Sequence, residues 1–307
     1  MEYSKISFPG LGLEFNPDRS LQIGPLSIYF YGLIIAIGLG LAAVYGLRRC
    51  KQFGLKQDDV IDGALMIIPF AVLCARLYYC IFKWDMYKDD LLSIFYIWEG
   101  GLAIYGGVLG AILGIIVFAK VKKLSLPAIL DIVALGFLIG QSIGRWGNFF
   151  NREAFGTETT GFLRMGLYKM VTEDGKIVGS TTMHYFHPTF LYESLWNAVG
   201  FVALHFLSKK RQYDGQIALG YAAWYGLGRA MIEGLRTDSL YLGSFRVSQL
   251  LALCSFIVGT GVLIALAFYK HDKEKLYVNR VAALEATAAE TTEEKEEKEE
   301  KEEPEQE

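Results

Sequence analysis

The sequence has little of what most soluble proteins use for chemistry. It carries only four cysteines in 307 residues, Cys50, Cys74, Cys80 and Cys254, none at metal-ligand spacing. They form no legible disulfide framework. Cys74, Cys80 and Cys254 lie in apolar runs, where cysteine serves as a small hydrophobe. Positive charge is not in excess: 30 Lys and Arg against 33 Asp and Glu give a formal charge of −3. The basic face that nucleic acid requires is therefore missing. A signal peptide is not legible either. The first apolar run is too long for a signal-peptide core, and its basic residues follow it instead of preceding it. No convincing internal repeat with paired broken helices appears, which counts against a transporter. The last apolar run has no lysine for a retinal Schiff base, which counts against a photoreceptor.

Apolar surface is what the chain has in abundance. Hydrophobic residues make up 52%, and the mean hydropathy is +0.29 although the last stretch is almost entirely polar. A helix needs roughly 20 apolar residues to cross a bilayer. Seven runs qualify: about Leu26–Leu47, Val60–Phe82, Gly101–Phe118, Pro127–Ile143, Pro188–Leu207, Ile217–Ile232 and Val247–Tyr269. Basic residues follow every second run: Arg48, Arg49, Lys51 and Lys56; Lys120, Lys122 and Lys123; Lys209, Lys210 and Arg211; Lys270, Lys273 and Lys275. An intervening loop carries Asp85, Asp89, Asp90 and Glu99. By the positive-inside rule the N-terminus is outside and the C-terminus cytoplasmic. The expectation is an all-α polytopic membrane protein with about seven transmembrane helices. Residues 1–280 form the membrane domain. Residues 151–187 form a small, hairpin-bearing extracytoplasmic cap. Residues 281–307 form an acidic Glu-Glu-Lys tail, disordered or a solvated helix. Gly106, Gly110 and Gly114, and then Gly136, Gly140 and Gly144, recur four apart, the spacing that lets membrane helices approach closely.

Charges near the ends of these runs are costly at membrane depth and usually face a cavity or a partner. They are Arg76, Arg145, Glu153, Glu193, Arg229, Glu233 and Arg236. Tyr225, Arg229 and Glu233 are four apart and share one helix face; Arg229 and Glu233 can pair with each other, or Arg229 can hold an anion. Arg145, Asn148, Asn151, Arg152 and Glu153 crowd into nine residues, denser than interfacial anchoring needs. His187 starts the fifth run. Tyr31 and Tyr105 put polar tips inside apolar runs, and each needs a hydrogen-bond partner. Arginine forks bind phosphate bidentately. The residues thus read as a polar cavity for an anionic amphiphile such as a phospholipid, with binding, transport and catalysis all still open.

The stretch GRWGNFFNREAFG (144–156) resembles the signature of the prolipoprotein diacylglyceryl transferases, G-R-x-G-N-F-x-N-x-E-x-x-G. Gly144, Arg145, Gly147, Asn148, Phe149, Asn151, Glu153 and Gly156 fill its positions. The resemblance extends through YGL at Tyr31, YGG at Tyr105, HPTFLYE at His187 and YGLGR…E…R from Tyr225 to Arg236, covering nearly everything but the acidic tail. It implies transfer of diacylglyceryl from phosphatidylglycerol to the lipobox cysteine of a prolipoprotein signal peptide in the bacterial plasma membrane, before that peptide is cut. No metal or cofactor is implied. It also implies roles. Arg145 and Arg229, with Arg236, would clamp the phosphate, and Asn148 and Asn151 would bind the headgroup. Glu153 and Glu233 would orient arginines or bind glycerol hydroxyls. Tyr31, His187 and Tyr225 would position substrate, and Gly156 would give a turn closing the polar loop. Many family members carry histidine where this chain has Tyr105, a proposed base for the thiol. Tyrosine, with an ordinary pKa near 10, is a poor base at neutral pH. That leaves Tyr105 as a phenolate beside arginine, Glu233 or His187 as the base, or a thiolate from solvent, with lowering of the thiol pKa by the arginine field the favoured route. A lipid-binding protein without activity could use the same clamp.

Overall fold

An apolar segment in lipid must satisfy its backbone hydrogen bonds internally, and a helix does so. The computed structural model of the chain describes residues 2–24, 26–97, 100–173, 176–237, 241–243 and 245–302. Its body is seven long helices: α1 (Phe30–Arg49), α2 (Gln57–Phe82), α3 (Ile104–Lys122), α4 (Leu126–Asn151), α5 (Thr189–Ser208), α6 (Gln216–Glu233) and α7 (Val247–Ala267). Among the described residues, six of these are long and apolar enough to cross a membrane. The exception is α6, of 18 residues, which carries Arg229 and Glu233. The protein is thus a mostly helical, polytopic membrane protein. The acidic repeat continues as helix α8 (Tyr277–Glu302); the last five residues and Glu99 lie outside the described residues.

Two ends differ most from the sequence expectation. The first helix begins at Phe30, because Leu26–Tyr29 pairs instead as a strand with Ser20–Ile23. The fourth runs to Asn151, so the polar signature is helical through its first eight residues and is not a loop beyond Ile143. Small and amide-bearing residues end an apolar run without ending the helix. The helix stops in a Schellman arrangement: Glu153 N donates to Asn148 O at 3.1 Å and Arg152 N to Phe149 O at 3.2 Å. Arg152 holds the left-handed position, φ 54°, where glycine is usual. Its guanidinium donates to Pro17 O (2.5 Å) and Phe150 O (3.2 Å), which helps to hold this less favourable conformation in place.

The strands β1 (Glu2–Phe8), β2 (Leu13–Phe15), β5 (Met165–Glu173) and β6 (Lys176–Phe186) form an antiparallel sheet in the order β2-β1-β5-β6; β3 (Ser20–Ile23) and β4 (Leu26–Tyr29) make a separate hairpin. The β5–β6 hairpin falls within residues 151–187, where a hairpin is expected, and β1 and β2, from the N-terminal end of the chain, widen it into a four-stranded sheet. Ile6, Phe8, Met165 and Leu167, alternate residues of β1 and β5, pack in one buried cluster with Phe149 of α4 and Phe190 of α5. The sheet therefore anchors the end of α4 and the start of α5.

The chain divides into two units. One comprises Met1–Tyr45, Val133–Arg211 and Gln216–Lys270; the other Gly46–Ile132, Gln212–Gly215 and His271–Glu307. In the first unit the glycines of α4 face α1 in antiparallel register. A Cβ on Gly136 would lie 3.6 Å from Ala42 Cβ, and one on Gly38 3.4 Å from Gly140 O. A Cβ on Gly144 would lie 3.1 Å from Ile35 Cδ1, and one on Gly147 2.7 Å from the Tyr31 ring. Helix α5 is keyed to α6 by a reciprocal pair. Trp196 and Trp224 stack at 4.5 Å, and each indole N–H donates to the other's carbonyl at 2.9 Å. Gly200 and Gly228 leave the space for the two rings. Gly226 and Gly259 let α6 and α7 touch backbone to backbone. In the second unit the glycine stripe of α3 lies on α2: a Cβ on Gly110 would come within 2.6 Å of Cys74 Cβ. Both stripes thus serve helix packing, as small residues do in lipid.

Candidate active site: an arginine–carboxylate cluster on α4, α5 and α6

The helix contacts just described bring three arginines of the first unit to two carboxylates. Glu193 of α5 is the hub, with its side chain 4% exposed. Its Oε2 lies 2.7 Å from Arg145 Nη2 of α4, and its Oε1 2.5 Å from Arg229 Nη1 of α6 and 3.5 Å from Arg236 Nη1. Glu233, one turn after Arg229, puts Oε2 2.6 Å from Arg229 Nη2 and 3.9 Å from Arg236 Nε. The mutual pair considered from the sequence is therefore present, but within a larger cluster. Three guanidiniums face two carboxylates, a formal excess of one positive charge. Among the described residues Arg145 has no polar partner besides Glu193 Oε2, so its Nε and Nη1 donors can take an anion. Glu193 Oε2 and Glu233 Oε2 are buried and have no aligned N–H despite their short ion-pair distances. Such pairs, desolvated and imperfectly hydrogen-bonded, are costly to keep and can exchange one acceptor for another.

The rest of the signature lies beside this cluster in sequence but has different partners. Asn148 and Asn151 each donate a carboxamide N–H to Glu153 Oε1, at 3.0 and 3.1 Å. Glu153 is exposed and is held by these two amides. Gly156, expected to give a turn closing the polar loop, does not take a positive φ. It is a point of close approach: it bridges to Arg236, donates to His187 O at 2.9 Å, and a Cβ there would meet His187 Cβ at 2.7 Å. Thr157 N donates to Leu235 O at 2.7 Å, and Thr189 Oγ1 to Ala154 O. These bonds tie the end of the signature to the start of α5 and the end of α6. His187 Nδ1 sits 3.3 Å from the Tyr192 hydroxyl. Tyr31 lies on Gly147, and Tyr225 stacks on Tyr221 at 5.5 Å. Tyr105, in the first turn of α3, belongs to the second unit.

Two residues carry more than the sequence suggested. Glu193 stood out only as a charge near a span end; what makes it the hub is contact with Arg229, 36 residues away. Arg246 donates through Nη1 to the main-chain carbonyl of Glu233 and through Nε to the Tyr241 hydroxyl at 2.9 Å. It braces the last turn of α6, and only its place just ahead of the final apolar run could have drawn attention to it.

A multi-pass helical membrane protein with an arginine–carboxylate cluster drawn from α4, α5 and the end of α6 is the class that fold and site define. The model of the prolipoprotein diacylglyceryl transferase family matches residues 19–265. The chain is 42% identical over 257 residues to the phosphatidylglycerol--prolipoprotein diacylglyceryl transferase of Listeria monocytogenes serotype 4a, covering 83% of this chain and 91% of that protein. Proteins of the same name from Ligilactobacillus salivarius (42% over 261 residues; 84% and 94%) and Limosilactobacillus reuteri (41% over 276 residues; 89% and 98%) are similarly close. The chain belongs to the prolipoprotein diacylglyceryl transferase family, a family of transferases.

Proposed function

We propose that this protein transfers the diacylglyceryl group of phosphatidylglycerol to the thiol of a prolipoprotein lipobox cysteine, the first step of lipoprotein maturation. The observation that carries the reading is the Glu193-centred cluster with its excess positive charge. The cysteine sulfur attacks the terminal glyceryl carbon of the lipid. A carbon–sulfur bond forms, the carbon–oxygen bond to phosphate breaks, and glycerol phosphate departs with the bonding pair. Charge accumulates on that phosphate, and preorganised cations aimed at it lower the barrier. Arg145 and Arg229 are the clamp, supported by Arg236; the phosphate takes the donors Arg145 leaves open and competes with Glu193 for the rest. Glu233 holds Arg229 in orientation. Asn148, Asn151 and Glu153 present a polar edge to the glycerol hydroxyls, while Tyr31, Tyr225, His187 and Gly156 shape the surroundings. Tyr105, in the first turn of α3, is the further catalytic residue that the family pattern implies. The thiol loses its proton to solvent, its pKa lowered by the arginine field, since thiolate is the nucleophile. The seven helices lie in the bacterial plasma membrane with the N-terminus outside, the orientation that the loop charges give.

The test is release of glycerol phosphate by the purified protein given phosphatidylglycerol and a lipobox peptide. Release that needs the peptide cysteine, with the matching mass gain on the peptide, is expected. No release above a cysteine-to-alanine peptide control, from folded protein that binds the lipid, would leave a lipid-binding protein instead.

A further inference from the structure

Arg76 is a buried cation outside the cluster, 4% exposed on α2, and no carboxylate pairs with it among the described residues. Its partners are main-chain carbonyls. Nε donates to Ile94 O (2.8 Å), Nη1 to Gly100 O (2.7 Å) and Gly101 O (3.1 Å), and Nη2 to Ser93 O (2.7 Å) and Tyr96 O (3.4 Å). A guanidinium has five N–H donors, and each finds a carbonyl. The group also sits over the Tyr87 ring at 5.1 Å. Gly100 and Gly101 take φ 94° and 73°, and a Cβ on Gly101 would collide with Arg76 Nη1. Leu91, Leu92 and Phe95 are exposed, while the five named carbonyls turn to the buried guanidinium, a donor other than water. Ala103 N then donates to Ala75 O at 3.1 Å, and α3 begins at Ile104 with Tyr105 next.

We propose that Arg76 is a positioning residue: by clasping five carbonyls between Ser93 and Gly101 it fixes where α3 starts and with it Tyr105, which the transferase reading makes a catalytic residue. The inference rests on the transferase reading above. Lysine keeps the charge but not the fork, so Arg76→Lys separates geometry from charge.

The experiment measures transfer by Arg76→Lys and Arg76→Ala beside the wild type, with melting temperatures recorded. Both variants are expected to lose about tenfold or more in kcat while the KM for phosphatidylglycerol stays within about threefold, the signature of lost transition-state geometry. Added guanidinium ion should restore part of the rate to Arg76→Ala and none to Arg76→Lys, a rescue that general loss of folding would not show. Amide hydrogen exchange over residues 101–107 should quicken in both. A folded variant whose kcat stays within twofold of the wild type, or a loss that follows unfolding and is not rescued, would overturn the proposal. An inactive wild type would instead refute the transferase reading, with the hydrogen-exchange change still testing the clasp.

Discussion

Arg76 and Arg229 are both largely withdrawn from water on helices of the membrane body, yet they are held in opposite ways. Arg76 spends its five donors on five neutral carbonyls. Arg229 spends its outer nitrogens on two carboxylates that other arginines share. Carbonyls fixed to the backbone cannot leave, so Arg76 is committed to shape. A carboxylate hub serving three cations can yield one of them to an incoming phosphate at modest net cost, because one charged acceptor replaces another. The arginine suited to anion chemistry is the one with exchangeable partners, and burial alone does not distinguish the two.

Substitutions that break or sharpen this contrast can be ranked. Arg229→Ala should lower glycerol phosphate release by about 10³-fold, the scale of losing a preorganised donor at developing charge. Glu193→Gln should lower stability by about 3 kcal/mol, since removing one member of a buried ion cluster strands the others. Thermal unfolding should then show added glycerol phosphate stabilising this variant more than the wild type, because the anion replaces the lost carboxylate. Equal stabilisation would mean Glu193 does not compete with phosphate. Gly110→Val should cost about 2 kcal/mol by driving α3 off Cys74 and Ala71 of α2, an overpacking penalty. Gly147→Ala displaces the Tyr31 ring and should raise the KM for phosphatidylglycerol by about threefold with little change in kcat. Arg152→Gly should change stability by no more than about 1 kcal/mol, as relief of the left-handed backbone offsets the lost bonds to Pro17 and Phe150.

The helical body was legible because a bilayer imposes one length scale on the sequence, and runs near twenty apolar residues record it directly. Boundaries failed where composition and hydrogen bonding part company. Leu26–Tyr29 is as apolar as a span but pairs as a strand, while Arg145 to Asn151 are polar yet helical. The N-terminal strands went unread because their partner, β5, is far along the chain and no local pattern announces such pairing. Arg145, Arg229, Glu233 and Arg236 could be found as charges placed where lipid should exclude them. Their assembly around Glu193 could not, because it depends on the Trp196–Trp224 key between α5 and α6 and on three helices meeting. The same holds for Arg76, whose carbonyl partners leave no trace in residue identity.

The most direct test of the exchangeable cluster is the phosphorus resonance of phosphatidylglycerol in nanodiscs containing this protein, recorded for the wild type and for folded Arg145→Ala. The account predicts a protein-bound phosphate signal distinct from bulk lipid in the wild type and its loss in the variant. A bound signal unchanged by removing Arg145 would place the phosphate elsewhere and contradict it.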